Sequence, residues 1–244
     1  MKTVLINCSP RKRFCASAYF LFLQRLFVSG EKVNEKLRTP ADHARILKQL
    51  QDAQAVVFGL PLYVDGVPSH VLRFMEEMEP FCRENGLKIK VYCVANNGFI
   101  EGKQNEPLMQ VFEHFCTRAG LLWGGGVGIG GGVMLNVTRI LFIVEIALLA
   151  LSIVLSVVKT GHFFPKESWI SFAENTALLL YFNLGVLFYL AGMGSAIRKG
   201  SFFGKKYTRI LIPSFVFILF AEIFFIIISV LEGGIFRGWL AKKE

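Results

Sequence analysis

The chain has 244 residues, of which 53% are hydrophobic, and 27 Lys and Arg against 18 Asp and Glu give it a net charge of +9. This hydrophobic share, with a mean hydropathy of +0.49, is too high for an ordinary water-soluble protein and indicates membrane segments. The positive charge does not indicate nucleic acid as a partner, because the basic residues cluster beside apolar segments rather than among exposed aromatic side chains.

Charged residues concentrate in the first 138 positions, and long apolar runs dominate the rest. We therefore expect a soluble N-terminal domain followed by a membrane region. The first apolar run, at residues 4–7, is too short for a signal peptide, which predicts that the domain stays in the cytoplasm. The five cysteines form no CxxC pair and have no His cluster beside them, which indicates reduced structural thiols and no metal site.

Short apolar runs alternate with amphipathic segments through the first half of the chain. Strand patterns lie at residues 4–7, 55–59, 89–95 and 121–127, with a weaker edge-strand pattern at 31–37. Helical patterns lie between them, at residues 16–29, 40–50, 69–78 and 107–115. Strands that alternate with amphipathic helices predict an α/β fold, a doubly wound parallel sheet covered on both faces.

Three loops that follow strands are unusually polar or rich in Gly and Pro, at residues 8–17, 60–68 and 96–102. In an open α/β sheet ligands bind outside the carboxyl ends of the strands, so we expect these loops to meet at one crevice. The first loop carries Ser9, Arg11 and Lys12 ahead of a helix. That combination suits a phosphate, because helix N-termini and loop N–H groups favour anions.

Two of these loops carry a resemblance to a known family. Its residues are NCSPRK at 7–12 and VFGLPLYVDGVPS at 57–69, which resemble the NADPH-dependent FMN reductase branch of the flavodoxin-like superfamily. The resemblance covers about residues 1–132 and implies a flavodoxin-like sheet with strand order 2-1-3-4-5. The chain departs from the family pattern at Cys8, where Gly is usual, and at Phe14, where a small polar turn is usual.

By matching position, the resemblance implies an FMN site made of residues from three loops. The first loop would bind the phosphate, the second would lie along the isoalloxazine ring, and the loop after the fourth strand would close the other side. The residues are Ser9, Arg11 and Ser17 for the phosphate, Pro61, Leu62 and Tyr63 for the ring, and Asn97 and Gly98 for the closing loop. Ser17 is the looser match, since the family's second hydroxyl falls nearer Ala16.

The same resemblance implies an oxidoreductase in which NADPH or NADH reduces bound FMN, which then passes electrons to an acceptor. The protein would mainly position and tune the flavin. A membrane region makes a quinone one candidate acceptor. Two alternatives stay open. The domain could regulate or scaffold a membrane protein without catalysis, as the departures at Cys8 and Phe14 favour, or it could be a one-electron flavodoxin-like carrier, which the basic charge disfavours.

Three apolar runs are candidates for transmembrane helices, at residues 140–158, 176–197 and 210–231. The stretch 197–209 is basic and lacks acids, so the positive-inside rule places it in the cytoplasm with the N-terminal domain, which requires three spans. We therefore expect a flavodoxin-like domain at 1–135 and a multi-pass region in the cell membrane at 136–244. The tail at Lys242 and Lys243 would then lie outside, against that rule. The run at 140–158 could instead cover the sheet as its fifth helix.

Glu145 and Glu222 lie within the predicted spans. Glu145 is near a span end, whereas Glu222 is central. A carboxylate at the centre of a span is either functional or a protonated acid that is hydrogen-bonded to a neighbouring helix, with Asn183 as one candidate partner. Close helix packing, in a small bundle or a homo-oligomer, is indicated by Gly185, Gly192 and Gly194.

Two short features have structural explanations. Residues 126–131 match the dinucleotide-binding pattern GxGxxG, but no strand boundary accompanies the acidic residue at the required distance, so we expect a turn that leaves the last strand. Cys8 suits a small buried residue at a strand end better than a redox thiol.

Overall fold

Six parallel strands form one sheet in the order β2-β1-β3-β4-β5-β6. The computed structural model describes residues 1–12, 15–161, 163 and 165–231, so the predictions that rest on Phe14, Lys242 and Lys243 lie outside the described residues. The first five strands have the predicted flavodoxin-like order, and a sixth extends the sheet beyond β5. Their bounds are Lys2–Asn7 for β1, Glu31–Lys36 for β2, Ala55–Pro61 for β3, Lys90–Asn96 for β4, Leu122–Gly130 for β5 and Gly204–Arg209 for β6.

Helices cover both faces of the sheet, which explains why the central strands are apolar along their whole length. On one face α2, α3 and α4 bury Ile46, Phe74 and Phe112 against the sheet. On the other face lie α1 and part of α6. The helices are α1 Ala16–Phe27, α2 His43–Leu50, α3 Ser69–Glu84, α4 Glu106–Ala119, α5 Gly132–Thr160, α6 Lys166–Lys199 and α7 Ser214–Leu231, with 3-10 turns at Pro40–Asp42 and Gly102–Asn105.

The helices α5 and α6 run antiparallel and leave the sheet at its carboxyl edge. The Asn183 amide donates to the Thr138 hydroxyl at 3.1 Å, and the Asn175 amide donates to Glu145 at 3.1 Å. A later residue of α5 therefore contacts an earlier residue of α6, as in antiparallel helices. Since α5 begins directly after β5, its residues 140–158 extend away from the strands over about 28 Å. Residues 140–160 of α5 and 166–182 of α6 together form a feature that we call the helical hairpin. Most of its apolar side chains are exposed.

The second half of α6 lies on the sheet, which corrects the expected span at 176–197. Val186, Leu190, Met193 and Ile197 recur at helical spacing and are buried. The chain then enters β6, so the basic stretch at 197–209 is mostly an edge strand rather than a loop. The compact unit accordingly ends at Ile210, not at residue 135. An apolar helix face suits a sheet as well as it suits lipid, so hydropathy alone could not separate the two.

The close packing expected at three glycines is present, with partners inside the compact unit. A side chain at Gly194 would meet the Phe27 backbone oxygen at 2.6 Å, and one at Gly185 would meet the Thr208 hydroxyl at 2.5 Å. These glycines let α6 approach α1 and β6. They therefore serve the docking of α6 rather than an interface between spans.

The glycine-rich stretch at 126–131 is mostly strand, which corrects the expected turn. Gly126, Gly128 and Gly130 all lie in β5. A β-carbon on Gly128 would fall 2.7 Å from the Gly102 carbonyl oxygen, so the glycines admit the turn at Gly102–Asn105 close against the strand.

Two described helices are long and apolar enough to cross a bilayer by length and composition alone, Gly132–Lys159 and Lys166–Lys199. In the most apolar 18-residue segment of the first helix no residue is buried. In the corresponding segment of the second helix 28% of the residues are buried. The part of the second helix that remains available for lipid is the part in the hairpin. In the separate unit that begins at Leu211, the apolar helix α7 is shorter.

Candidate functional site

A cleft of about 110 Å³ lies at the carboxyl ends of β1, β3 and β4. The strand order reverses between β1 and β3, and ligands of open α/β sheets bind at such a reversal. All eight residues predicted from the three loops line this cleft. The structure therefore brings them together, while their part in FMN binding stays a prediction.

The first loop is held by its backbone, which leaves the side chains of Arg11 and Lys12 exposed. The Ser9 amide donates to the Asn7 side-chain oxygen at 3.0 Å, and the Arg11 amide donates to the Ser9 hydroxyl at 3.4 Å. The Arg38 guanidinium donates to the Arg11 and Lys12 carbonyls at 2.7 and 3.3 Å. Arg11 itself is exposed and is the one charged side chain among the described residues that line the cleft.

Asn96 joins the start of α1 to the ends of β3 and β4. Its amide donates to the Ser17 hydroxyl and to the Leu60 carbonyl, both at 2.9 Å. Ser17 is buried and accepts that bond, so its own proton can be donated to a ligand. The first N–H groups of α1 have no side-chain cap at Cys15, and they form the kind of helix N-terminus that favours an anion.

Asn97 lines the cleft and carries a buried acceptor without a donor among the described residues. Its amide group donates to the Glu101 carbonyl at 3.0 Å, and its backbone N–H donates to the Ile129 carbonyl at 3.0 Å. Its side-chain oxygen is buried, and no donor from the described residues reaches it. A buried acceptor without a donor is costly, so this atom is suited to a ligand N–H. At Gly98 beside it, a β-carbon would have no atom within 4 Å.

The second loop forms a strained turn at the rim of the cleft. The Gly66 amide donates to the Tyr63 carbonyl at 3.0 Å, and the two central residues, Val64 and Asp65, have φ of 47° and 54°. A β-branched residue in this left-handed region is unusual and costs energy. Val64 is also fully exposed, at 102%, so no packing within the described chain offsets that cost.

The thiols near the cleft are structural. Cys8 is completely buried, and burial raises the pKa of its thiol well above the ordinary value. The predicted burial of Cys8 at a strand end is therefore confirmed, and a protonated buried thiol is a poor nucleophile. Cys15 is also buried and accepts a bond from the Asn7 amide at 3.6 Å.

Sequence reasoning missed several residues of the cleft and its supports. Asn7 and Asn96 each end a strand beside the crevice, and a polar residue at a strand's carboxyl end was the available signal. Arg38 carries no such signal in the sequence, since it contacts the first loop only in the folded chain. The remaining lining residues that were missed are Cys15, Ala16, Val133 and Asn136.

Two of the polar residues discussed for the predicted spans, Glu145 and Asn183, have hydrogen-bond partners. Glu145 accepts a bond from Asn175 within the hairpin. Asn183, considered as a partner for Glu222, instead accepts a bond from the Tyr19 hydroxyl at 3.0 Å and donates to Thr138. Its hydrogen-bonding groups are thus used at the base of the hairpin.

The strand order and the cleft define a flavodoxin-like, doubly wound α/β protein. No protein-family model and no curated protein match the chain. Solved structures similar to it include the Trp repressor binding protein from Bacillus subtilis, with 19% identity over 53% of this chain and 84% of that chain and a TM-score of 0.44.

Two further similar structures come from other organisms. One is an NAD(P)H:quinone oxidoreductase from Methanothermobacter marburgensis, with 14% identity over 57% of this chain and 92% of that chain and a TM-score of 0.44. The other is the general stress protein 14 in complex with FMN from Treponema denticola, with 12% identity over 52% of this chain and 84% of that chain and a TM-score of 0.42. Similarities of this strength carry no argument about function, which rests on the site.

Proposed function

We propose that the chain is a membrane-anchored, NAD(P)H-dependent FMN oxidoreductase. One observation carries the proposal: three loops far apart in the sequence, two of which resemble the FMN reductase pattern, line a single cleft at the reversal between β1 and β3. Flavodoxin, whose sheet has the strand order 2-1-3-4-5, binds FMN at that reversal.

The residues of the cleft fit FMN at both ends of the molecule. At one end, Arg11 and the uncapped start of α1 offer positive charge and N–H groups to a phosphate. At the other, the Asn97 side-chain oxygen is a buried acceptor without a donor, and the oxidised flavin ring carries one N–H group. The fit therefore covers both a dianionic group and a ring amide.

Each part of the cleft then has a defined task. Ser9, Arg11 and Ser17 would hold the phosphate, and Pro61, Leu62 and Tyr63 would lie along the ring and keep water from it. Asn97 would orient the ring, and Gly98 would leave space beside it. When bound, FMN supplies the hydride chemistry with a nicotinamide, so the protein needs no acid–base pair of its own.

The membrane part of the proposal rests on the helical hairpin. The helix α5 contributes Val133 and Asn136 to the cleft and, a few residues later, becomes an exposed apolar helix. An apolar surface of this extent is unfavourable in water and matches the hydrocarbon thickness of a bilayer. With the compact unit on the cytoplasmic side, a membrane species such as a quinone is a suitable acceptor.

The test is reconstitution of the full chain in detergent with FMN, followed by a visible spectrum and assays of NADH and NADPH oxidation. We expect flavin bands that stay with the protein on gel filtration and oxidation of a nicotinamide when a quinone is present. A protein that shows no flavin bands after incubation with FMN contradicts the proposal.

A non-catalytic, regulatory or scaffolding role is the second candidate. The observation that favours it is Cys8, a buried residue that stands where the FMN reductase pattern usually has Gly. In that case flavin binding and nicotinamide oxidation would both be absent, while deletion of the chain would still change a membrane phenotype.

A further inference from the structure

Two loops expose apolar side chains at the edge of the sheet from which the hairpin rises. Val64 lies at the tip of the turn after β3, and Phe99, which is 59% exposed, lies in the loop after β4. Asp65 and Phe99 line one surface depression, so the two loops are neighbours. Because β3, β4 and β5 are parallel, these loops and the start of α5 share the carboxyl edge.

The energetics of the turn favour a partner for Val64. Its backbone lies in a region that is unfavourable for a β-branched residue, and its side chain is wholly exposed. Transfer of an exposed valine or phenylalanine from water into an apolar phase is favourable. Phenylalanine on a loop beside a membrane helix is a suitable group for insertion at the interface.

The same edge also carries cations that suit an anionic bilayer surface. Arg11 and Lys12, on the loop after β1, are both exposed. Basic side chains close to a membrane surface are attracted by anionic headgroups. The edge therefore presents two apolar tips and two cations on the side where the hairpin leaves the compact unit, with the exposed carboxylates of Asp65 and Glu101 beside the tips.

We propose that Val64 and Phe99 insert into the bilayer interface beside the hairpin, so that the cleft opens towards the lipid and its electron acceptor arrives from the bilayer. This inference rests on the proposed function, both for the membrane anchor and for the flavin. The hairpin fixes the direction of the membrane, and the two loop tips fix how close the cleft lies to it.

The test uses the full chain in phosphatidylcholine and phosphatidylglycerol vesicles, with a polarity-sensitive NBD probe on one introduced cysteine at a time. All five natural cysteines are buried, so the introduced thiol is labelled selectively. The variants are Val64→Cys and Phe99→Cys, with Ile146→Cys in the hairpin as the lipid control and Glu84→Cys, at the end of α3, as the water control. Lipids that carry a doxyl quencher near the headgroup report the depth.

We expect the probes at positions 64 and 99 to shift to shorter wavelength and to be quenched by the shallow doxyl lipid, while the probe at position 84 is unchanged. Water-like emission at 64 and 99 with a lipid-like signal at 146 overturns the inference and leaves the anchor intact. A water-like signal at 146 contradicts the anchor itself. A shift at 64 and 99 that appears in detergent and depends on protein concentration assigns these tips to a second copy of the chain and also overturns the inference. Flavin binding is read separately from the visible spectrum.

Discussion

The hydroxyl of Tyr19 donates a hydrogen bond to the side-chain oxygen of Asn183 across 3.0 Å, at the point where the hairpin leaves the sheet. Asn183 in turn donates to the hydroxyl of Thr138 at 3.1 Å. The Arg139 guanidinium lies 5.4 Å from the centre of the Tyr19 ring. These contacts join α1, α5 and α6, and buried polar groups that satisfy one another in this way fix a single geometry. The hairpin is therefore held at a set angle to the cleft.

Loss of this bond is expected to destabilise the compact unit. Tyr19→Phe leaves the buried Asn183 oxygen without its donor, which costs about 1–3 kcal/mol. Thermal unfolding in detergent measures the change. Tyr181→Phe, at a position 53% exposed on the hairpin, is the matched control. Equal melting temperatures for the two variants would show that the Tyr19 bond adds nothing.

The position of the second half of α6 can be tested at Gly194. A side chain there would meet Phe27 at 2.6 Å, so Gly194→Val forces α6 away from α1 and should lower the free energy of unfolding by about 1–3 kcal/mol or more. The control is Ala177→Val, an exposed position of the hairpin in the same helix. If residues 176–197 spanned the bilayer instead, the two variants would unfold alike.

The first five strands and the three loops were predictable because their signals are local. Alternating apolar runs and turn residues mark each strand and loop, and the parallel topology then brings the loops to one edge. The sixth strand could not be predicted in this way. Its sequence, GKKYTR, is basic and only half-buried, and it becomes a strand through its pairing with β5.

The environment of a long apolar helix is harder to predict, because lipid and a protein core both favour apolar side chains. Residues 140–158 and 183–197 both belong to helices that are long and apolar enough to cross a bilayer, yet the first stretch is exposed and the second lies on the sheet. The difference comes from small residues such as Gly185 and Gly194, which admit close neighbours. For the cleft, the lining loops were predictable, whereas the Arg38 support depends on a contact made across the fold.

The strained turn at Val64 predicts a stabilising substitution. Asn adopts the left-handed conformation more readily than a β-branched residue, so Val64→Asn should raise the free energy of unfolding by about 1 kcal/mol in detergent. Val111→Asn, at an exposed valine of α4 where the backbone is not in that region, is the control and should not stabilise. In vesicles Val64→Asn should also lose the interfacial insertion proposed for this tip, so the two environments are measured separately.

Buried thiols predict a loss of stability in alkaline solution. Burial raises the pKa of Cys82 to about 11 and that of Cys116 to about 12, from an ordinary value of 9.0. Because the folded state favours the protonated thiol, this contribution is complete below pH 9 and is lost as pH rises through 11 and 12. Melting temperatures should therefore fall across that range, and Cys82→Ala should make the fall shallower. A slope unchanged by that substitution would assign the alkaline loss to other groups.

The placement of the phosphate is tested most directly at Arg11. A charge-assisted hydrogen bond contributes about 1.5–3 kcal/mol, so Arg11→Gln should weaken FMN binding by about 10- to 100-fold. Riboflavin has the same ring without the phosphate. The affinity of the Arg11→Gln variant for riboflavin should therefore stay within about twofold of the affinity of the unsubstituted protein. Quenching of flavin fluorescence measures both ligands. The charge-matched control is Arg25→Gln. Arg25 lies in the last turn of α1, the helix that follows the first loop. Equal losses for FMN and riboflavin would show that Arg11 supports the fold of the loop rather than the phosphate, and no loss for either would place the phosphate elsewhere.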